Sequence, residues 1–278
     1  MTRLAPFQFR GATFDWSRPY LVGVVNTTPD SFSDGGQHLA PAAAIERALS
    51  LAADGADMLD IGGESTRPGA APVPVEEELA RVLPVIEGLA GRTGCAVLSI
   101  DTCKAEVARA ALAAGAEVVN DVSGGLFDPG TARAAAEAGA VFVCGHVRGR
   151  RLDEVHAAPP PAFEELVVEL AARLRDLPAD LAGRTAIDPG LGFGKQTARN
   201  LELLRRSGEL SGALSCPVMV GPSRKRFLGD LTGRPVGERD AATIGAALAA
   251  ARGGAQLIRV HEVRAVKDAL VVYRAVHP

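Results

Sequence analysis

Eight short apolar runs recur along the 278 residues, and stretches with helical spacing separate them. The runs are Leu21–Val25, Met58–Ile61, Val97–Ile100, Val118–Val119, Val141–Cys144, Thr185–Ile187, Val218–Val220 and Leu257–Val260. Between them lie good helix formers, as in Pro41–Ala53, Val75–Leu89, Lys104–Ala114 and Arg239–Ala251. Near-continuous apolar strands imply burial on both faces, and helical crossovers make neighbouring strands parallel. The expected fold is therefore α/β: a single-domain (β/α)8 TIM barrel with helices outside. A doubly wound open sheet is the competitor, but it usually needs fewer strands and would break the uniform rhythm. Residues 1–20 are expected to be an N-terminal segment and residues 21–278 the barrel. A hairpin around Gly11 in "FQFRGATFDWSRP" would cover the barrel bottom.

Composition narrows the partners. A net charge of -3 with 23% charged residues gives no general nucleic-acid surface, and 47% hydrophobic residues argue against disorder. Small molecules are the expected ligands. Cys95, Cys103, Cys144 and Cys216 form neither a metal pattern nor a disulfide framework, which suits reduced thiols in a cytoplasmic protein. The start lacks a signal-like apolar stretch, and the alanine-rich run Ala241–Arg252 is too short to span a bilayer, so no membrane partner is expected.

In a parallel barrel the loops after the strands gather on one face. Those exits read "NTTPDSFSDGG", "GGESTRPG", "DTCK", "NDVSGG", "GHVRGR", "DPGLGFGK", "GPSRK" and "RVHE". The loops after the helices read "ADGAD", "GRTG", "AGAE", "EAGA" and "RGGA", which are simple turns. Reactive groups are thus confined to one end. Asp101, Asn120 and Asp188 offer acceptors and an amide to a planar heterocycle bearing several N–H groups. Arg67, Lys225, Arg259 and His261 supply cationic groups, and Asn26 with Thr66 adds neutral ligands suited to hydrated magnesium or a phosphate oxygen. The glycines of "PGLGFGK" allow close backbone approach to a flat ligand, but neither a Walker A loop nor a GxGxxG motif is present.

Plainer roles compete for each residue. Asp101 can cap a helix, Asp188-Pro189-Gly190 can be a turn, and Lys225 between Arg224 and Arg226 can belong to a solvated basic cluster. The "RGRR" stretch, Arg148 to Arg151, reads as a solvated face. His146 and Cys103 read as structural, and Glu64 as an organiser of its loop.

Together "VNTTPDSFSDGG", "GGESTRPGAAPVPVEEE", "SIDT", "NDVSGG", "DPGLGFGK", "GPSRKRFLG" and "RVHEV" resemble the dihydropteroate synthase family, from about Leu21 to the C-terminus and in the family's order. The resemblance implies a transferase of folate biosynthesis. Such an enzyme joins p-aminobenzoate to 6-hydroxymethyl-7,8-dihydropterin diphosphate and releases diphosphate. It implies that Asp101, Asn120, Asp188 and Lys225 hold the pterin, and that Thr66, Arg67, Arg259 and His261 surround the diphosphate. Phe32, Asp34, Pro68, Phe193 and Ser223, beside Lys225, would form the p-aminobenzoate pocket, and Asn26 would contact Mg²⁺. Lys225, Asp101, Arg259 and His261 would be the catalytic set. A homodimer is also implied, with exposed apolar faces around Ala246 to Ala250 and Val263 to Tyr273 as candidate surfaces. The chain departs from many members in carrying Gly145 before His146, and from some in carrying Arg226 after Lys225. The rival readings are a folate-dependent methyltransferase barrel, which needs no diphosphate site, and a non-catalytic pterin-binding paralogue.

Overall fold

The computed structural model describes residues 4–27, 39–66, 70–151, 154–155 and 159–277. All eight apolar runs are strands of one parallel sheet: β3 (Tyr20–Asn26), β4 (Met58–Gly62), β5 (Val97–Asp101), β6 (Val118–Asp121), β7 (Val141–Gly145), β8 (Thr185–Asp188), β9 (Met219–Val220) and β10 (Leu257–Val260). Their order is β8-β7-β6-β5-β4-β3-β10-β9, and a parallel bridge between Ile187 and Val218 joins the two ends. The sheet therefore closes into the expected barrel.

The outer ring comprises α1 (Leu39–Ala53), α2 (Val75–Leu89), α3 (Ala105–Ala114), α4 (Gly130–Glu137), α5 (Phe163–Asp176), α6 (Thr197–Arg205), α7 (Ser207–Leu214), α8 (Arg226–Thr232), α9 (Asp240–Arg252) and α10 (Val263–Val276). Three glutamates open α2 where the helix dipole favours negative charge, and in α5 Glu165 accepts a hydrogen bond from the Ala162 N–H. Leu21, Leu59, Ile61, Leu98, Ile100, Val119 and Phe142 face outward and pack under these helices. The alternate residues face the barrel axis.

Two short strands, β1 (Phe7–Gln8) and β2 (Thr13–Phe14), pair antiparallel around Gly11. Their Phe7 and Phe14 are buried with Tyr20, Val22, Met58, Val97, Val118, Val141, Met219 and Leu257, the axis-facing residues at the strand starts. Phe14 stacks on Tyr20 at 4.1 Å, and Phe7 meets Trp16 edge-on at 4.8 Å. The hairpin is thus an aromatic plug that keeps water out of the barrel floor.

One expected apolar surface is corrected. Ala246, Ala247 and Ala250 are buried against the barrel, because they form the inner face of α9. On α10 the expectation holds in part: Val263, Val266 and Leu270 are buried, whereas Val271, Val272 and Val276 are exposed. Among the described residues, no helix is long and apolar enough to cross a membrane.

Candidate functional site

Alternation along each strand explains why the barrel is apolar below and polar above. On β4 the axis-facing residues are Met58, Asp60 and Gly62; on β5 they are Val97, Ser99 and Asp101; on β10 Leu257 precedes Arg259. Each of these three strands changes from an apolar to a polar inward residue within one period. The polar layer at mid-barrel is consequently buried and must satisfy its own hydrogen bonds.

Asp60 is its centre. This carboxylate is 1% exposed and accepts hydrogen bonds from Ser99 Oγ at 2.7 Å, Asn120 Nδ2 at 2.8 Å and Arg259 Nε at 2.6 Å. Arg259 uses another nitrogen, Nη2, to reach Asp101 Oδ2 at 2.7 Å. Asp101, Asn120 and Arg259 are therefore linked through a buried residue that reading the strand exits alone overlooked. An aspartate inside the otherwise apolar run "MLDIG" was the available signal, since a buried charge needs partners.

Above this layer opens a cavity of about 1270 Å³. Its lining includes Asn26, Thr66, Asp101, Phe193, Ser223, Lys225, Arg259 and His261. Eight of the expected site residues thus share one space, with Asn120 beneath it and Asp188 at the end of β8 beside β7. Phe32, Asp34, Arg67 and Pro68 lie outside the described residues.

Burial sets the charges at the mouth. Desolvation raises the Asp101 carboxyl from 3.8 to about 7, the Arg259 charge opposing that rise and Asp60 adding to it. Asp188 is also raised, chiefly by desolvation, although Gly190 N–H donates to its Oδ1 at 2.7 Å. Lys225 is lowered from 10.5 to about 8 by the same effect. Arg259 is raised because Asp60 and Asp101 together outweigh its desolvation.

The three consecutive cations of "SRK-R" separate. Arg224, at φ 57°, turns outward to Asp240 and Glu262, and Arg226 has a 93% exposed side chain near Asp230. All three border the cavity, but Lys225 turns inward across its wall, its ammonium 4.3 Å from the Phe193 ring centroid. The solvated-cluster reading fits Arg226 and fails for Lys225. Ser223 Oγ lies 2.8 Å from His261 Nδ1 and accepts the His261 backbone N–H at 3.2 Å, which ties the β9 and β10 exits together.

The plainer readings divide. Asp101 does not cap α3: Lys104 stands at the cap position, and the Ala105 N–H is taken by Asp128. Asp188 does close a turn through Gly190 while remaining at the mouth. His146 is fully buried and bonded to Glu169, a structural position. Cys103 is buried and its thiol is raised well above the usual range by desolvation, so it is a poor nucleophile. Glu64 organises its loop, accepting the Val73 N–H at 2.8 Å and a hydrogen bond from Lys104 Nζ at 2.8 Å. The reading of "RGRR" as a solvated face fails at Arg148, which turns back onto Glu165 and Glu169.

Two glycines shape the mouth. A side chain on Gly145 would meet the Val122 and Asp121 carbonyl oxygens at 2.3 and 2.6 Å, so the β6 exit itself occupies the space that a larger residue would take. Gly190 has φ 70°, and a Cβ there would lie 2.1 Å from the His146 carbonyl oxygen. Gly190→Ala is expected to cost ~2 kcal/mol or more in a denaturant titration, since both backbone strain and collision oppose it. An unchanged midpoint would show that the two loops can separate freely.

The profile of the family described as "Pterin binding enzyme" matches residues 22–261. The dihydropteroate synthase of Mycobacterium leprae is 44% identical over 267 residues, covering 92% of each chain. The mitochondrial folate synthesis bifunctional protein of Arabidopsis thaliana is 40% identical; the match covers 92% of this chain but only 49% of that longer protein. The dihydropteroate synthase of Xanthomonas albilineans superposes with TM-scores of 0.86 in its structure with 4-aminobenzoic acid and 0.83 in that with 7,8-dihydropteroate. Those two are 46% and 45% identical to this chain, with 98% of each chain covered. With its barrel, its polar floor and its mouth residues in these relatives' company, the chain belongs to the pterin-binding enzyme family.

Proposed function

We propose that this protein is a dihydropteroate synthase. It would join p-aminobenzoate to 6-hydroxymethyl-7,8-dihydropterin diphosphate, forming 7,8-dihydropteroate and diphosphate. The observation that carries this reading is the single cavity that runs from Asp101 and Arg259 at its floor to Phe193, Ser223 and Lys225 on its wall. The pterin would lie deep, its N–H edge facing Asp101, Asn120 and Asp188. The benzoate ring would lie beside Phe193, nearer solvent. Arg259, His261 and Thr66, with Arg67, would receive the diphosphate.

The residues need not supply a nucleophile. The amine of p-aminobenzoate forms a C–N bond to the pterin methylene as the C–O bond to diphosphate breaks, and the amine then loses a proton. Cationic side chains favour this departure because negative charge accumulates on the leaving oxygens. A Mg²⁺ carried largely by the diphosphate would need few donors from the protein. Asn26, ending β3 at the cavity with a neutral amide, fits that partial role. Mg²⁺, when bound there, would supply further positive charge to the departing diphosphate. A cytoplasmic location and a homodimer using the exposed valines of α10 complete the proposal; sedimentation as a monomer at micromolar concentration would count against the dimer.

Purified protein supplied with both substrates and Mg²⁺ is expected to release diphosphate and 7,8-dihydropteroate in equal amounts, with neither formed when any component is omitted. Pterin binding without release would favour the non-catalytic paralogue. The charges at the mouth also set a pH dependence. For the free enzyme, kcat/KM should rise through about pH 7 as Asp101 ionises and fall above about pH 8 as Lys225 loses its proton. Asp101→Asn should remove the acid limb, whereas an unmoved limb would assign it to another group. In stability the sign is opposite: the raised Asp101 contribution is full below its ordinary 3.8 and is lost as pH approaches 7.

A further inference from the structure

Behind the β8 exit, three residues that the proposed reaction does not use form a buried chain: Lys195, His146 and Glu169. Lys195 is 9% exposed, and its Nζ lies 3.3 Å from His146 Nδ1, 3.3 Å from the His146 carbonyl oxygen and 3.2 Å from the Phe193 carbonyl oxygen. Three acceptors match the three donors of an ammonium group. His146 is fully buried, and its Nε2 lies 2.8 Å from Glu169 Oε2. Because Nδ1 faces the ammonium, Nε2 carries the proton and donates to Glu169. Arg148 closes the far end of the chain on Glu169.

Burial holds His146 at about 4, so its imidazole is neutral, and the hydrogen bond from His146 leads the causes that hold Glu169 at about 2. Lys195 itself is drawn down to about 7 by burial, with the Asp188 charge opposing. The carbonyls that Lys195 clasps belong to loops carrying site groups. Phe193 bears the ring beside Lys225. His146 donates its backbone N–H to the Asp188 carbonyl at 2.9 Å, and its own carbonyl crowds Gly190.

We propose that Lys195, oriented by His146 and Glu169, is a positioning residue that clamps the β7 and β8 exit loops so that Asp188 and Phe193 face the two substrates together. This inference rests on the synthase reading of the cavity. Although Lys195 borders the cavity, its Nζ is turned to these three acceptors, and in this role it acts through the backbone on either side of Gly190 and through its charge near Asp188.

Lys195→Met keeps the shape of the side chain and removes its charge and donors. The variant is expected to fold, while the Kd for pterin diphosphate and the KM for p-aminobenzoate each rise about tenfold, as loss of a charge-assisted hydrogen bond implies. Its kcat should change less. Unchanged Kd and KM would overturn the proposal, as would activity lost only in proportion to folded protein. Should Lys195→Met not fold, Glu169→Gln, at the half-buried end of the chain, tests the same coupling; a rise of a few-fold in both constants is expected, and no rise would overturn it. Wild-type protein that binds pterin diphosphate without turnover would refute the synthase reading, while the Kd comparison would still decide the role of Lys195.

Discussion

Lys225→Ala is expected to lower kcat/KM by roughly 100-fold to 1000-fold, the scale for losing a preorganised donor at a reacting site. The melting temperature should stay level or rise. The reason is electrostatic: burial lowers the lysine from 10.5 to about 8, so its charge is held at a cost to the folded state. That destabilising effect grows as pH falls from above 10.5 toward 8, and the substitution relieves it. Its alkyl chain also lies against Gly192, where a Cβ would come within 3.0 Å of Lys225 Cδ, so truncation leaves a gap in the cavity wall rather than in the packed core. Steady-state kinetics alongside thermal unfolding distinguish the outcomes. Parallel loss of activity and melting temperature would make Lys225 a structural residue.

Asp60→Ala is expected to have the contrary signature, with stability and activity failing together. Removing that carboxylate leaves Arg259 with Asp101 alone and takes an acceptor from both Ser99 and Asn120. Breaking a buried pair by deleting one partner costs about 3–5 kcal/mol, because the surviving charge remains out of water. The denaturant midpoint should fall accordingly. Asp60→Asn, which keeps an acceptor oxygen but loses the charge, should fall between alanine and wild type. A wild-type midpoint for Asp60→Ala would mean that Arg259 and Asp101 suffice for each other, and that the mid-barrel network does not organise the mouth.

The contrast between Lys225 and Asp60 also explains what the sequence made legible. Parallel barrel strands are covered on both faces, so they appear as uninterrupted apolar runs, and all eight were found with small shifts at their ends, such as β6 continuing to Asp121. Site residues on strand exits were legible because polar groups collect there and leave the other end plain. Asp60 and Ser99 were missed because they sit inside runs whose hydrophobicity dominates. Only inward alternation, combined with the cost of an unpaired charge, marks them. Lys195 was hidden for another reason: a lysine after a glycine-rich turn normally points to solvent, and only the folded loop reveals His146 and two carbonyls around it. The burial of Ala246, Ala247 and Ala250 was equally beyond composition, since small residues suit either a helix pressed on a barrel or a contact with another chain.

A crystal structure with 6-hydroxymethyl-7,8-dihydropterin diphosphate bound would test the assignment of this cavity most directly. The expected result is a pterin ring deep in the barrel mouth, its N–H edge on Asp101, Asn120 and Asp188, with the diphosphate directed toward Arg259 and His261. A ring bound outside the mouth, or a diphosphate directed down toward Asp60, would contradict the assignment.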